Sequence, residues 1–573
     1  MSVTLDPYDF GTRAVGSTTS AFLTYTNSGG VAAQHTSSTL SGDFQFSGGV
    51  FPGTGGTCAA SLPAGGSCTV EINYSPTAAA PDSSNLEYNY NDGVTGQSEI
   101  SQLEGYGASP ANLAISEADP YVYPMRGVGF SVNHTFTVTN MGGFSATALN
   151  EVGLAGPFQF VGGTYPGTGG TCGATLTSGA SCTIEVQFAP VNPGFYSESI
   201  EITYSNGVGP SNVTRSVQGD SFEPFMSMAL GAQHSCAKRP NGIGLCWGGN
   251  TSGQLGNGTT TQSLTPVTVT GAMNWAQLSS RESHSCGVDV LNTGYCWGMN
   301  TNGQVGDNTT TTRLNPVALG GGGVWQKIAT GASHTCGLKT NGSIACWGLN
   351  TKGQLGDGTT TQRLTPVTVM GGGTFIDVAV GSFSTCAVTT ANAVYCWGRG
   401  DSGQIGNGAM TMTNPAPTLA SILIGAYSKV AVGMNFACAQ QLSGGLVMCW
   451  GNGIKGQLGN GSTTSAIANS VVVSGSNFEK IEAGPESVCA YSSFTNEVRC
   501  WGDNAFGQLG DGTTTNRSSP VLVGSQYLDV FVGKFHACGL TTSGGTRCWG
   551  INTHGQLGDG TTTNRPAPVA INP

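Results

Sequence analysis

The chain has 573 residues, a formal net charge of −11 and only 9% charged residues, against roughly 25% in ordinary soluble proteins. Its 91 glycines and abundant Thr, Ser and Asn leave no helix-period segment longer than about ten residues and no run of 18 apolar residues to span a membrane. The 38% hydrophobic content is placed too regularly for disorder.

Charge divides the chain. Residues 1–223 carry Arg13, Arg126 and Arg215 against 17 acidic groups, a net of −14, whereas residues 225–573 carry 17 basic and 14 acidic groups, a net of +3. Neither part has the clustered basic footprint of a nucleic-acid binder. The start, Met1 to Pro7, has no basic region and no apolar core, so it does not read as a signal peptide. Together with the cysteines described next, this makes the chain read as a mature product or an excised fragment.

Residues 1–107 and 108–220 repeat one another. FLTYTNSGG, PGTGGTC and GGSCTVEINYSP return as TFTVTNMGG, PGTGGTC and GASCTIEVQFAP. In Thr135-Phe136-Thr137-Val138-Thr139, alternation turns Phe136 and Val138 inward and the threonines outward. About seven short strands in each segment argue for a β-sandwich. Each segment also holds one close cysteine pair, Cys58 with Cys68 and Cys172 with Cys182.

From about residue 225 a longer pattern takes over: a strand, GxxH, a cysteine, a turn, C-W-G, N-x-x-G-Q-L-G-D-G-T-T-T, then P-V-x-V. Its cysteine pairs are Cys236 with Cys246, Cys286 with Cys296, Cys336 with Cys346, Cys386 with Cys396, Cys438 with Cys449, Cys489 with Cys500 and Cys538 with Cys548, recurring every 48 to 53 residues. The C-W-G tryptophans are Trp247, Trp297, Trp347, Trp397, Trp450, Trp501 and Trp549. Four short strands per unit, seven times over, predict a radial β-propeller.

All nine pairs are ten or eleven residues apart around turn residues, a spacing that suits opposite positions on two antiparallel strands. Eighteen cysteines with no CxxC knuckle and none left over place the chain in an oxidising compartment. Each bridge closes a short loop, contributing roughly 2–3 kcal/mol in the chain-entropy picture.

The front motifs resemble the immunoglobulin-like domains of the abnormal-spindle–hydin and choice-of-anchor D class, which implies spacing and display. The back motifs resemble the regulator of chromosome condensation repeat family, which implies a seven-bladed propeller over 225–573. The fold class expected is therefore all-β: two immunoglobulin-like β-sandwiches followed by that propeller. The family's founder is a nuclear nucleotide-exchange factor. The cysteines contradict a nuclear location, and the near-equal repeats leave no inserted hairpin to enter a nucleotide site. Secreted bacterial relatives use the fold as a rigid binding face, and this sequence looks closer to them. Departures from the repeat are Arg281 for the glycine of the second GxxH, and Ser384, Phe436 and Ser487 for the histidine of the fourth to sixth.

The chemistry on offer is sparse. His234, His284, His334 and His536 recur at one position and would meet near the axis, but three repeats lack them, so they read as structural hydrogen-bonders rather than a metal site. Asp307, Asp357, Asp511 and Asp559 lack the second and third carboxylates that calcium needs, so they read as turn formers. No GxSxG, HExxH or P-loop is present. No metal, cofactor or catalytic residue is expected, and the chain is read as a non-enzyme.

Positions that the repeats do not keep are candidates for recognition. The GxxH turns and N-x-x-G loops fall at one end of an up-and-down sheet. They supply Phe383, Met434, Phe436, Phe506 and Phe535 with Arg399 and Lys534, an aromatic cluster edged by cations in units four to seven. The competing reading is that several of these rings pack between blades. The expected function is a secreted or cell-surface recognition or adhesion protein that binds a protein or a surface glycan. The alternatives are a secreted enzyme inhibitor, a structural subunit of a surface fibre and, last, a propeller enzyme.

Overall fold

The computed structural model describes residues 1–571 except 272 and 476. It is all-β, and its chain divides into two compact units, Met1–Ser221 and Phe222–Pro573.

The front unit contains two immunoglobulin-like sandwiches. In the first, one sheet orders Ser2–Val3, Thr19–Thr26, Ser67–Tyr74 and Phe44–Phe46, and the other is built around Pro81–Asn91 and Gly96–Ala108. The second repeats this plan around Val132–Asn140 and Ser181–Phe188 on one sheet, and Gly194–Ser205 and Pro210–Phe222 on the other. Strand alternation works as predicted: Phe136, Val138, Ile184, Val186 and Phe188 are buried between the sheets, which removes their apolar area from water while the intervening threonines stay at the surface.

The front cysteines depart from the hairpin expectation. Cys58 and Cys172 lie in loops, and only Cys68 and Cys182 are on strands. The PGTGGT loop folds back over the strand, where the Cys58 N–H donates to Thr69 O at 3.2 Å and the Gly55 N–H donates to Glu71 Oε2 at 2.7 Å. That contact brings Cys58 within bonding distance of Cys68 without a second strand. Cys172 meets Cys182 in the same way in the second sandwich.

The back unit is a propeller in which the described residues form seven four-stranded antiparallel sheets, each made of consecutive strands. The first comprises Ser227–Leu230, His234–Lys238, Gly244–Gly248 and Ser263–Thr268. The last comprises Tyr527–Val532, His536–Thr541, Thr546–Gly550 and Arg565–Ala570. Cores lie between neighbouring sheets. One holds Cys286, Val288 and Val305 of the second unit with Trp325, Ile328 and Trp347 of the third. The ring closes through side chains: Trp247 Nε1 and Ser235 Oγ of the first unit both donate to Gln556 O of the last, at 3.1 and 2.7 Å.

In the propeller the hairpin expectation holds. Each cysteine pair sits directly opposite on the two central strands of its sheet: Cys236 faces Cys246, Cys286 faces Cys296, Cys336 faces Cys346 and Cys386 faces Cys396. Likewise Cys438 faces Cys449, Cys489 faces Cys500 and Cys538 faces Cys548. Their Cα atoms are 4.0–4.1 Å apart, and all fourteen side chains are fully buried. These cysteines are therefore staples inside the blades and offer nothing to a partner. Peptide mapping without reduction is expected to recover nine links, each between nearest cysteines in sequence. Free thiols throughout, or a link between repeats, would overturn both the pairing and the oxidising location.

Candidate functional site

The repeated residues are scaffold, and the structure says what each does. In the third N-x-x-G loop the Asn350 amide donates to Asp357 Oδ1, Thr359 O and Thr361 O, while its oxygen accepts the Leu355 N–H. The Gln354 Oε1 accepts the Lys352 N–H at 2.8 Å, and the equivalent bond recurs in all seven loops. One Asn and one Gln thus satisfy backbone groups that the polar loop would otherwise leave unpaired.

The aspartates belong to the same network. Asp357 accepts from the Thr359 hydroxyl and from Arg363 Nε, and Asp307, Asp511 and Asp559 pair alike with Arg313, Arg517 and Arg565. Burial pushes the Asp357 carboxyl up, but the Thr359 hydroxyl and the Arg363 guanidinium outweigh it and hold it below the usual range.

The seams between sheets carry a second network. Every C-W-G indole donates to the backbone carbonyl of the Gln in the preceding unit, at 2.9–3.1 Å. Where a unit has the GxxH histidine, its Nε2 meets a hydroxyl of the next unit: His234–Ser285 at 2.8 Å, His284–Thr335 and His334–Thr385 at 3.0 Å, and His536–Ser235 at 2.8 Å. Each hydroxyl donates onward to the same Gln carbonyl. It must therefore accept from Nε2–H, which leaves Nδ1 as the unprotonated nitrogen. Desolvation pushes His234, His334 and His536 down to about 3 and His284 to about 4.

The candidate recognition residues fall into three groups. Phe506 and Phe535, from the sixth and seventh units, come together with ring centroids 5.0 Å apart, and Phe506 is 37% exposed. Lys534 Nζ lies 5.3 Å from the Phe535 ring and pairs with Glu282 at 3.0 Å. Phe383 and Met434 are half-buried at their turns, and Arg399 lies over the Phe383 ring at 5.9 Å while pairing with Asp401 at 2.8 Å. Phe436 is a correction. It is fully buried and cannot meet a partner. Position 436 is the seam position, where other units place histidine. The residue opposite it in the next unit is Val488, which has no hydroxyl, so an apolar ring suits the seam.

The axis holds residues that sequence reasoning missed. Two residues after an aromatic near the start of six inner strands stand Gln277, Lys327, Asp377, Lys429, Lys480 and Asp529, and all of these but Asp529 line a central cavity. Lys327 pairs with Asp377 at 2.6 Å and Lys480 with Asp529 at 2.8 Å. The signal was present as a polar residue at one register of every repeat, in strands otherwise rich in Val, Ile and Ala. Among the described residues no group of three or more His, Cys, Asp or Glu side chains converges as metal ligands do.

Comparison with known proteins follows this division. The regulator of chromosome condensation (RCC1) repeat matches residues 242–288, 295–338, 341–388 and 496–540, and a second description of that repeat matches 325–354, 375–404 and 528–556. The HYDIN/CFA65/VesB-like Ig-like domain matches 1–106 and 125–220. The chain thus carries RCC1 repeats behind HYDIN/VesB-like domains. Residues 405–495 lie outside the matched segments, yet strands Tyr427–Val432, Phe436–Gln441, Val447–Gly451 and Ala466–Val472 form the same four-stranded sheet.

Among curated proteins, the ultraviolet-B receptor UVR8 of Arabidopsis thaliana is 30% identical over 139 residues, which is 23% of this chain and 30% of that protein. The human E3 ubiquitin-protein ligase HERC2 is 34% identical over 120 residues, 20% of this chain and 2% of the ligase. The chain therefore spans less than a third of either relative. Among solved structures, human WBSCR16 shares 21% identity over 57% of this chain and 87% of its own, with a TM-score of 0.50. Yeast RCC1 (Prp20), solved bound to Kap60, shares 15% identity over 61% of this chain and 85% of the other, with a TM-score of 0.51. At these identities the likeness is one of fold.

Proposed function

We propose that the chain is a recognition protein of the cell exterior, in which the propeller binds a protein partner through the loop face of units four to seven and the acidic sandwiches act as a spacer. The observation that carries this reading is the Phe506–Phe535 pair with Lys534 beside it. Exposed aromatics edged by cations are common interface anchors. RCC1-like propellers bind proteins, and yeast RCC1 is seen in complex with Kap60. Nine cysteine pairs at bonding distance support the oxidising location. The reading assigns no catalytic step to the chain.

The test is the double substitution Phe506→Ala with Phe535→Ala, measured in binding and melting together against secreted and surface-exposed proteins. Binding is expected to weaken by about thirtyfold or more, the loss of one buried anchor, while the melting temperature changes little. If the pair unfolds the protein, the rings are core. If neither quantity changes, the recognition surface lies elsewhere.

A further inference from the structure

The inner strands of the seven sheets enclose a central cavity of about 360 Å³, within the size range of small-molecule sites. It has three layers. At the start of the strands is the charged collar of Lys327, Asp377, Lys429 and Lys480, and Asp529 pairs with Lys480. Two residues further on, strand alternation brings the next side chains to the axis. They are mostly methyl groups, Ala229, Ala329, Ala379 and Ala431, with Ser279, Glu482 and Phe531 completing the sleeve; Lys480 Nζ lies over the Phe531 ring at 3.9 Å. The third layer lies where the GxxH turns draw together. There the Met434 N–H donates to Pro485 O at 2.8 Å, Ala232 N–H to Glu282 O at 3.0 Å, and Lys534 N–H to Gly231 O at 3.1 Å.

Arg281 occupies this narrow end. It stands where other repeats have glycine, on an inner strand one residue longer than that of the third unit, Trp275–Arg281 against Trp325–Thr330. The following Glu282 turns at φ 45°. The guanidinium reaches across the axis, where Nη1 donates to Val380 O at 3.1 Å, Val432 O at 3.4 Å and Ala483 O at 3.5 Å. Its Nη2 is buried with no hydrogen-bond partner among the described residues. The two carboxylates that act on it electrostatically, Glu282 and Glu482, are held by other cations: Glu282 by Lys534 at 3.0 Å and Glu482 by Lys480 at 3.5 Å. A buried guanidinium with a free donor and no carboxylate is costly unless an anion meets it.

We propose that the cavity binds a small organic carboxylate, with its charged group on Arg281 and its apolar body in the alanine sleeve. The unpartnered Nη2 can give a carboxylate oxygen a charge-assisted hydrogen bond. The cavity also favours an anion overall, because its lining carries Arg281, Lys327, Lys429 and Lys480 against Asp377 and Glu482, with Asp529 pairing Lys480. The narrow end borders the GxxH turns of the loop face, but Phe506 and Phe535 do not line the cavity, so either reading can fail without the other.

Titration calorimetry of the full chain with butyrate, acetate, butyramide and inorganic phosphate tests it. Butyrate is expected to bind saturably at one site per chain with a Kd on the order of 1 mM. It should bind roughly tenfold tighter than acetate, from its two additional methylenes. Butyramide and phosphate should bind weakly or not at all. Arg281→Gln should weaken butyrate by about tenfold or more, and the exposed Arg547→Gln should leave it unchanged. Ala379→Leu, which fills the sleeve without touching Arg281, should abolish butyrate binding in a folded protein, so the test stands even if Arg281→Gln does not fold. No saturable butyrate binding, phosphate binding as tightly as butyrate, or an Ala379→Leu protein that binds butyrate normally would each overturn the proposal.

Discussion

Trp501→Ala is expected to lower the stability of the propeller by about 3–5 kcal/mol, the usual cost of deleting a buried tryptophan. The indole is fully buried, its ring stacks on Phe478 at 6.0 Å, and it shares one cluster with Leu458, Val473 and Ile481. Its Nε1 donates to Gln457 O at 3.0 Å, so truncation also leaves that carbonyl without the bond. Gly459 packs directly on the indole, where a Cβ would lie 2.7 Å from Nε1, so the loop is fitted to this ring. Trp501→Phe separates the two contributions. It keeps most of the packing and loses the hydrogen bond, so the expected cost falls to about 1–3 kcal/mol. Denaturant unfolding checks both values. A loss under about 1 kcal/mol for the alanine variant would mean the seam does not depend on the indole.

How much of this was legible in the sequence depends on how far apart the interacting residues lie. Trp501, Gln457 and the paired cysteines of the propeller were legible because period and turn chemistry are local. Each repeat displays the same residue at the same register, and only a scaffold role explains that. Phe436 was misread as a loop residue because its repeat lacks the histidine that marks the seam. The clue was one unit further on. Units with His234, His284, His334 and His536 are followed by Ser285, Thr335, Thr385 and Ser235, whereas Ser384, Phe436 and Ser487 are followed by Ala437, Val488 and Ala537. The hydroxyl is kept only where the histidine needs it. The front cysteines misled for the opposite reason: a ten-residue spacing fits a loop folded over a strand as well as a hairpin. Arg281 was visible as a departure, but its role was not. Its carbonyl partners lie 99, 151 and 202 residues away in sequence, and ring closure alone brings them together.

The buried histidines make acid the second large lever. In the unfolded chain each binds a proton near pH 6.5. In the folded chain desolvation holds His234, His334 and His536 near 3 and His284 near 4. Between those values the unfolded state carries more protons, so stability rises with pH across the window and is lost as pH falls below about 6.5. By pH 5 each histidine has forfeited roughly 2 kcal/mol, and the four together several times that. The intact disulfides do not oppose this, since they act on both sides of the equilibrium. All nine tryptophans lie beyond residue 246 and are buried, so tryptophan fluorescence reports the propeller without interference from the sandwiches. Guanidinium midpoints followed that way are expected to fall steeply from pH 7 to pH 5. His284→Asn should flatten the slope by one proton's worth while lowering stability at pH 7, because Thr335 loses its donor. A midpoint unchanged between pH 7 and pH 5 would show that the histidines titrate normally and that the seams are open to water.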